Sequence, residues 1–260
     1  MTPTENVTVD SDSRQRQIVE FARDRGRVEV PALAEELQVA TETIRRDLKV
    51  LAGRRLLKRV HGGAIPLETV AFESGVEYRS QVDLAQKHRI AGAAADQLHG
   101  AETVYLDEGF TPRLIAELLA EQELTVVTSS LLAAEALAHS STVTVLLLGG
   151  RMRGRTLATV DEWALERLRS LVVDVAFLGT NAISLDHGLT TPDPAVAAVK
   201  QTAVRVASRR ILVAAHSKFG QTSFCRFAEI SDFESIITGT ELSTAEAHRY
   251  EALGPSVLRV

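Results

Sequence analysis

From about residue 81 onward, short apolar runs close on small or polar residues and give way to stretches with helical periodicity. "ETVYLDEG" precedes "TPRLIAELLA", "LTVVTSS" precedes "LLAAEALAH", and "TVTVLLLGG", "VDVAFLGT", "RILVAAH" and "SIITG" follow. Strands buried on both faces read as continuous runs of Val, Ile and Leu, and their alternation with helices predicts a parallel α/β sheet. Ligands of such sheets bind beyond the carboxyl ends of the strands, so the residues that close each run are the candidates for chemistry.

Charge divides the chain. Residues 14–60 hold 12 Lys/Arg against 7 Asp/Glu, a net of +5, which leaves −10 for the rest of a 260-residue protein whose total is −5. A basic head on an acidic body suggests a nucleic-acid-binding module joined to something that is not one. At 45% hydrophobic and 24% charged the composition is that of a globular protein with a sizeable core. The single cysteine, Cys225, excludes an intramolecular disulfide or a multi-cysteine zinc site, and the histidines show no metal-ligand spacing. No apolar run approaches the roughly 18 residues a membrane span needs, and the N-terminus lacks a basic segment followed by an apolar core. These features predict a cytoplasmic protein with no metal or cofactor.

The domain boundaries expected from the sequence are a disordered polar tail at 1–13, a head at 14–66, a linker at 67–80 and an α/β body at 81–260. Within the head, "SRQRQIVEFARDRG" opens on Ser13 as a candidate N-cap and carries Ile18, Phe21 and Ala22 at helical spacing. After the extended piece "RVEV", Pro31 suits a first helical turn, and Leu33, Ala34 and Leu37 form the stripe of a second helix. "QVA" is a tight turn, Thr41 is placed to cap a third helix, and Ile44, Leu48 and Leu51 face its interior. Two short helices joined by a tight turn make a helix-turn-helix. "LLKRV" and "AIP" pair across "HGG" as a hairpin beside Arg54, Arg55, Lys58, Arg59 and His61, so the head is winged.

This geometry gives the basic helix a task. In the major groove, Arg45 or Arg46 can fork to guanine O6 and N7 while its neighbour and Lys49 hold phosphates, and Thr43 reaches a phosphate or a thymine methyl. Asp47 orients a neighbouring arginine, since phosphate repels a carboxylate. Arg59 belongs to the wing, and His61 is either a wing-tip contact or a plain turn residue. Residues 14–66, and "TIRRDL" and "RVHGGA" in particular, resemble the winged helix-turn-helix of the DeoR family of bacterial sugar-metabolism regulators, and the likeness continues along nearly the whole chain.

In the body, three strand ends read as phosphate-cradling turns. "LDEGFTP" places Asp107, Gly109 and Thr111 between a strand and a helix start; "VVTSS" supplies Thr128, Ser129 and Ser130; "LLLGGRMRG" adds Gly149 and Gly150. Each alone is ordinary loop chemistry, and their repetition is the signal. Lys200 and Lys218 are placed to bring positive charge to such a site, with Lys87 a further candidate.

The body is similar to the DeoR-type effector domain, itself similar in fold to ribose-5-phosphate isomerase. The resemblance implies a sugar-phosphate pocket made by Asp107, Gly109 and Thr111, by Thr128, Ser129 and Ser130, by Gly179, Thr180 and Asn181 in "LGTNAI", and by Lys200 and Lys218. The chain departs from the family pattern at Phe110, Pro112, Ser129, Ala215 and "TVDEWA" (159–164). The stretch "GTNAISLDHGLTTPDPAVAAVK" resembles actinobacterial regulators of sugar-phosphotransferase genes, which implies a fructose phosphate as effector.

The function expected is therefore that of a ligand-controlled transcription factor, most simply a repressor. A homodimer or homotetramer binds operator DNA, and a phosphorylated sugar shifts the geometry of its two recognition helices. The alternative is a sugar-phosphate isomerase with an accessory DNA-binding head, for which Asp107, Glu108, Asp186 and Asp193 are the carboxylates near strand ends, none with an evident paired acid. Trp163, in "DEWALERL", is read with Leu165 and Leu168 as a packing face.

Overall fold

The computed structural model describes residues 11–54, 56–66, 73 and 75–260. Residues 1–10 of the expected tail, Arg55 and half of the expected linker lie outside them. The chain divides into two compact units, residues 1–68 with 72–74, and residues 69–71 with 75–260.

The first unit is built from helices α1 (Ser11–Arg25), α2 (Val30–Glu36) and α3 (Thr41–Gly53) and strands β1 (Val28–Glu29), β2 (Leu57–Val60) and β3 (Gly63–Pro66). Helix α1 starts two residues before the expected cap at Ser13, so Ser11, Asp12 and Ser13 are helical rather than part of a tail. Ile18, Val19 and Ala22 of α1 pack on Leu33 of α2, on Ile44, Leu48 and Leu51 of α3 and on Leu57 of β2. Burying each large apolar side chain contributes about 1.5 to 3 kcal/mol, and this cluster is the head's whole core. Strands β2 and β3 form the predicted hairpin, with β1 on the outer edge of β3. Gly63 sits where a Cβ would run into the Val28 carbonyl, so glycine is what lets β1 close on the wing. Thr41 does not cap α3. Ala40 takes the N-cap place with an extended backbone, and Thr41 is the first helical residue.

The second unit opens with α4 (Val76–Gln81) and α5 (Leu84–Ala95), so helix occupies the end of the segment expected as linker. Then come β4 (Thr103–Leu106), α6 (Phe110–Leu119), β5 (Thr125–Thr128), α7 (Leu131–Leu137), β6 (Thr144–Leu147), the hairpin β7 (Arg151–Arg153) and β8 (Ala158–Val160), and α8 (Glu162–Arg169). The second half holds β9 (Val173–Leu178), β10 (Ala182–Ser184), β11 (Gly188–Thr191), α9 (Pro194–Val206), β12 (Ala207–Val213), β13 (Cys225–Ala228), β14 (Ser235–Thr238), α10 (Thr244–Glu251) and β15 (Ser256–Arg259).

The main sheet has the order β15-β14-β12-β9-β4-β5-β6, with every pairing parallel. Alternate strand residues serve two cores. Val104, Leu106 and Val126 join Ile90, Leu114, Ile115 and Leu137 on the α5–α7 side, whereas Tyr105 and Val127 join Ala164, Leu168, Val196 and Ala247 on the α8–α10 side. The chain runs outward from β4 through β5 to β6 and then returns to start again at β9, so the strand order reverses between β4 and β9. The carboxyl ends of neighbouring strands diverge at such a reversal and leave a crevice.

Trp163 is not part of the core. It is 75% exposed while Ala164, Leu165 and Leu168 are buried, because two residues along a helix turn about 200° and place Trp163 opposite Leu165.

Candidate functional site

On α3 the buried face is Ile44, Asp47, Leu48 and Leu51, which turns Arg45, Arg46 and Lys49 outward. Thr41 is exposed at the helix start, and Thr43 is half-buried one turn above Asp47. Arg45 meets Glu42 at 3.2 Å in an exposed pair. Asp47 does not orient a neighbour on its own helix. Its carboxylate accepts from Arg14 Nε at 2.6 Å and Gln15 Nε2 at 2.9 Å, both on α1. Arg59 is exposed on β2 and His61 in the turn of the wing, whose carbonyl accepts from Arg27 at 3.1 Å.

In the second unit, the crevice at the β4/β9 reversal is where Asp107, Glu108 and Lys200 converge. Lys200, on α9 and 1% exposed, donates through Nζ to Asp107 Oδ2 and, at 3.2 Å, to the Gly179 carbonyl. Gly179 N donates to the same Asp107 oxygen at 2.8 Å, and Lys200 Nζ lies 3.7 Å from Glu108 Oε1. Asp107 and Glu108 follow β4, Gly179 follows β9, and Lys200 is two turns into α9, whose start is fixed by Pro194 and by Asp193 capping Ala195 N and Val196 N. Asp107 Oδ1 is buried with no hydrogen-bond partner among the described residues. Burial pushes the Asp107 carboxyl above its ordinary value, the Lys200 charge pulls it back, and the charge of Glu108 pushes the same way as burial.

Asp107, Glu108 and Lys200 line a narrow, tightly packed cleft together with Ser129, Ala158, Thr159, Val160, Val196 and Val199. Gly109 turns the chain into α6 at φ +120°, a conformation side chains rarely adopt, and Thr111 is buried in the first turn. Of the second expected turn, Ser129 Oγ stands 3.4 Å from the Tyr105 hydroxyl and borders the cleft. The other two hydroxyls are engaged locally: Thr128 Oγ1 donates to the Leu106 carbonyl at 2.7 Å, and Ser130 Oγ caps α7 through Ala133 N at 3.3 Å. Gly149 and Gly150 lie outside the cleft lining. Gly150 instead lets the β7–β8 hairpin close, since a Cβ there would strike the Val160 carbonyl.

Thr180 Oγ1 donates to the Ala182 carbonyl at 2.8 Å, and Asn181 Oδ1 accepts from Thr191 Oγ1 at 2.8 Å, so both brace the loop beside Gly179. Lys218 is half-buried in the turn after β12, away from the cleft lining. Lys87 is turned inward and donates to the Arg79 and Val82 carbonyls, each at 2.6 Å. Sequence reasoning did not single out Thr159, Val160, Val196 or Val199 as cleft residues; β8 reaches the site through the bonds of Thr159 N and Oγ1 to the Ser129 and Leu148 carbonyls at 2.8 and 2.6 Å. Among the described residues no helix is long and apolar enough to cross a membrane.

Comparison with known proteins places both units. Residues 14–70 match the DeoR-like helix-turn-helix domain, and residues 82–240 match the DeoR C terminal sensor domain. The chain is 34% identical to the HTH-type transcriptional regulator GlpR of Haloferax volcanii over 94% of its own length and 96% of that protein's. It is 30% identical to the glycerol-3-phosphate regulon repressor of Escherichia coli (strain K12) over 86% of its length and 89% of that repressor's. Among solved structures, ribose 5-phosphate isomerase A from Methanocaldococcus jannaschii aligns with a TM-score of 0.39 at 17% identity, over 53% of this chain and 55% of that one.

Proposed function

Because the chain belongs to the DeoR family of transcriptional regulators, we propose that it represses genes of sugar uptake or catabolism and lets go of its operator when a phosphorylated sugar binds at Asp107 and Lys200. The observation that carries this reading is the buried Lys200–Asp107 pair at the sheet's strand-order reversal, with one Asp107 oxygen unpartnered. A buried acceptor without a donor is costly, and a sugar hydroxyl is the group that would satisfy it. The phosphate is then held by the amides at the start of α6 and by lysine charge.

A fructose phosphate is the effector we favour, on the likeness of residues 179–200 to regulators of sugar-phosphotransferase genes. Glycerol 3-phosphate is the natural competitor, since one relative is named as a glycerol-3-phosphate regulon repressor. The ligand is bound and not turned over, so the reading calls for no cofactor. An isomerase needs a second acid across the substrate from its base. Here Asp193 caps α9 and pairs with Arg153 at 3.1 Å, and Asp186 is exposed in the turn between β10 and β11, which leaves Asp107 and Glu108 as adjacent neighbours.

Operator reading falls to Arg45, Arg46 and Lys49 on α3, with Thr41, Thr43, Arg59 and His61 around them. Two half-sites about one helical turn apart require at least two copies of the chain. The test is fluorescence anisotropy of the full-length protein on the DNA upstream of its gene at fixed salt, titrated with fructose 1-phosphate, fructose 6-phosphate, glucose 6-phosphate and glycerol 3-phosphate. Release by one of them is the expected result; binding indifferent to all four would overturn the effector half of the reading.

A further inference from the structure

Helix α4 is the first element of the second unit, and only residues 67–75 separate it in sequence from the last strand of the DNA-binding unit. At six residues it is too short to be stable alone, so its position is set by what grips it. At its start, Val76 N donates to the Arg155 carbonyl at 3.1 Å, in the loop of the β7–β8 hairpin. On its flank, Arg79 Nη1 stands 3.6 Å from Glu108 Oε2, with the two side chains only 14% and 4% exposed. At its end, Lys87 clamps the Arg79 and Val82 carbonyls.

The elbow into α5 is Asp83, a non-glycine residue at φ +53° whose carboxylate accepts from Ser217 Oγ at 2.7 Å. Gln86, one turn further on, accepts from His216 N at 2.7 Å, so the turn that carries Lys218 also holds the elbow. Glu108 therefore faces two cations, Arg79 on α4 and Lys200 in the cleft, the latter at 3.7 Å.

We infer that Arg79 is a positioning residue that relays the occupancy of the cleft to α4, and through α4 to the segment leading to the DNA-binding unit. An anionic ligand that engages Lys200 weakens its hold on Glu108, and the carboxylate turns to Arg79. Because both side chains are largely buried, solvent and salt screen this exchange far less than a surface pair. The movement of α4 follows from the redistribution of one carboxylate between two cations.

The inference rests on the effector reading above, but it can be tested without any ligand. Operator affinity of the ligand-free full-length protein is measured for Glu108→Gln, Arg79→Gln and the double variant. Each single change is expected to shift the operator Kd at least threefold, and the double variant is expected to match Arg79→Gln within about twofold, the non-additivity of two residues acting through one contact. Arg79→Lys, which keeps the charge, is expected to stay near wild type and separates a relay from a folding defect. Amide exchange over residues 76–82 is expected to quicken in Arg79→Gln and in Ser217→Ala at unchanged Tm. Single variants that bind operator as wild type does, or effects that add, would overturn the relay. Indifference of the wild-type operator complex to fructose 1-phosphate and glycerol 3-phosphate counts against the effector reading alone, since the relay is decided by the ligand-free cycle.

Discussion

Arg14 Nε donates to Asp47 Oδ2 at 2.6 Å, so the first helix of the head holds the recognition helix by a carboxylate that is itself only 3% exposed. Gln15 adds a second bond to the same carboxylate, and Arg54, past the end of α3, donates to Gln15 Oε1 at 3.3 Å. The face of α3 opposite Arg45 and Arg46 is thus fixed by a polar network laid over the apolar core, and the angle of α3 depends on both.

Asp47→Ala is accordingly expected to destabilise the head by about 2 kcal/mol, the range for a hydrogen bond to a charged group whose partner is left behind. Asp47→Asn, which keeps an acceptor for Gln15 or Arg14, is expected to lose less. Urea unfolding followed by circular dichroism reads both, and an Asp47→Ala midpoint equal to wild type would show that Arg14 carries no tension across the helices.

The arginines on the outer face are expected to behave differently, since both are exposed and the Arg45–Glu42 pair is a surface one that contributes little to stability. Arg45→Ala and Arg46→Ala should each leave Tm unchanged, and the one that forks to a base should weaken operator binding by about 1 to 3 kcal/mol and relax specificity at one position. Lys49→Ala should weaken binding to all sequences alike and flatten the salt dependence by about one ion. Anisotropy on operator and scrambled duplexes across a salt series separates the two behaviours; equal operator affinity in both arginine variants would remove α3 from the groove.

Lys200→Met places an uncharged side chain of similar length next to two buried carboxylates. Removing one partner of a buried pair costs roughly 3 to 5 kcal/mol, because the remaining charge is stranded, and the Asp107 carboxyl should rise further above its ordinary value once the lysine no longer opposes burial. Lys200→Met with Asp107→Asn is expected to recover most of that loss while still failing to respond to any phosphosugar. Thermal unfolding and ligand-dependent operator release, measured on the same preparations, test this; a double variant that still releases DNA with ligand would move the effector elsewhere.

How much of this was legible beforehand follows from the range of the forces involved. The register of Ile44, Leu48 and Leu51 is a local periodicity, and it places the start of α3 to within a residue. The choice of Ala40 over Thr41 as cap turned on one backbone angle that composition does not encode. The strand ends at Asp107 and Gly179 could be read because buried runs stop there. Their meeting with Lys200 involves residues 93 and 21 positions apart in sequence, and only the strand-order reversal brings them together. In sequence Lys87 is a further candidate for the ligand site, but folding turns it inward to close α4 and α5. Glu108 reads in sequence as a strand-end carboxylate but not as the contact between the cleft and α4, because Arg79 comes from a segment that reads as linker.

The amino edge of the sheet offers a test that is independent of ligand and DNA. Asp174 Oδ2 accepts from Thr103 Oγ1 at 2.8 Å, Thr103 N at 2.9 Å and Glu102 N at 3.0 Å, and these bonds, the Thr103 hydroxyl foremost, hold its carboxyl below the ordinary value of 3.8. A carboxyl depressed in the folded state gives stability that is fully present above its unfolded value and is lost as the pH falls through its folded one. Asp174→Asn should therefore lower Tm at pH 7 and make little difference near pH 2, where the wild-type carboxyl is also protonated. Scanning calorimetry of the two proteins across that interval measures the effect. A Tm difference that stays constant with pH would mean that the bonds to residues 102 and 103 act through shape rather than charge, and that the β4–β9 pairing beneath the cleft does not depend on that ionisation.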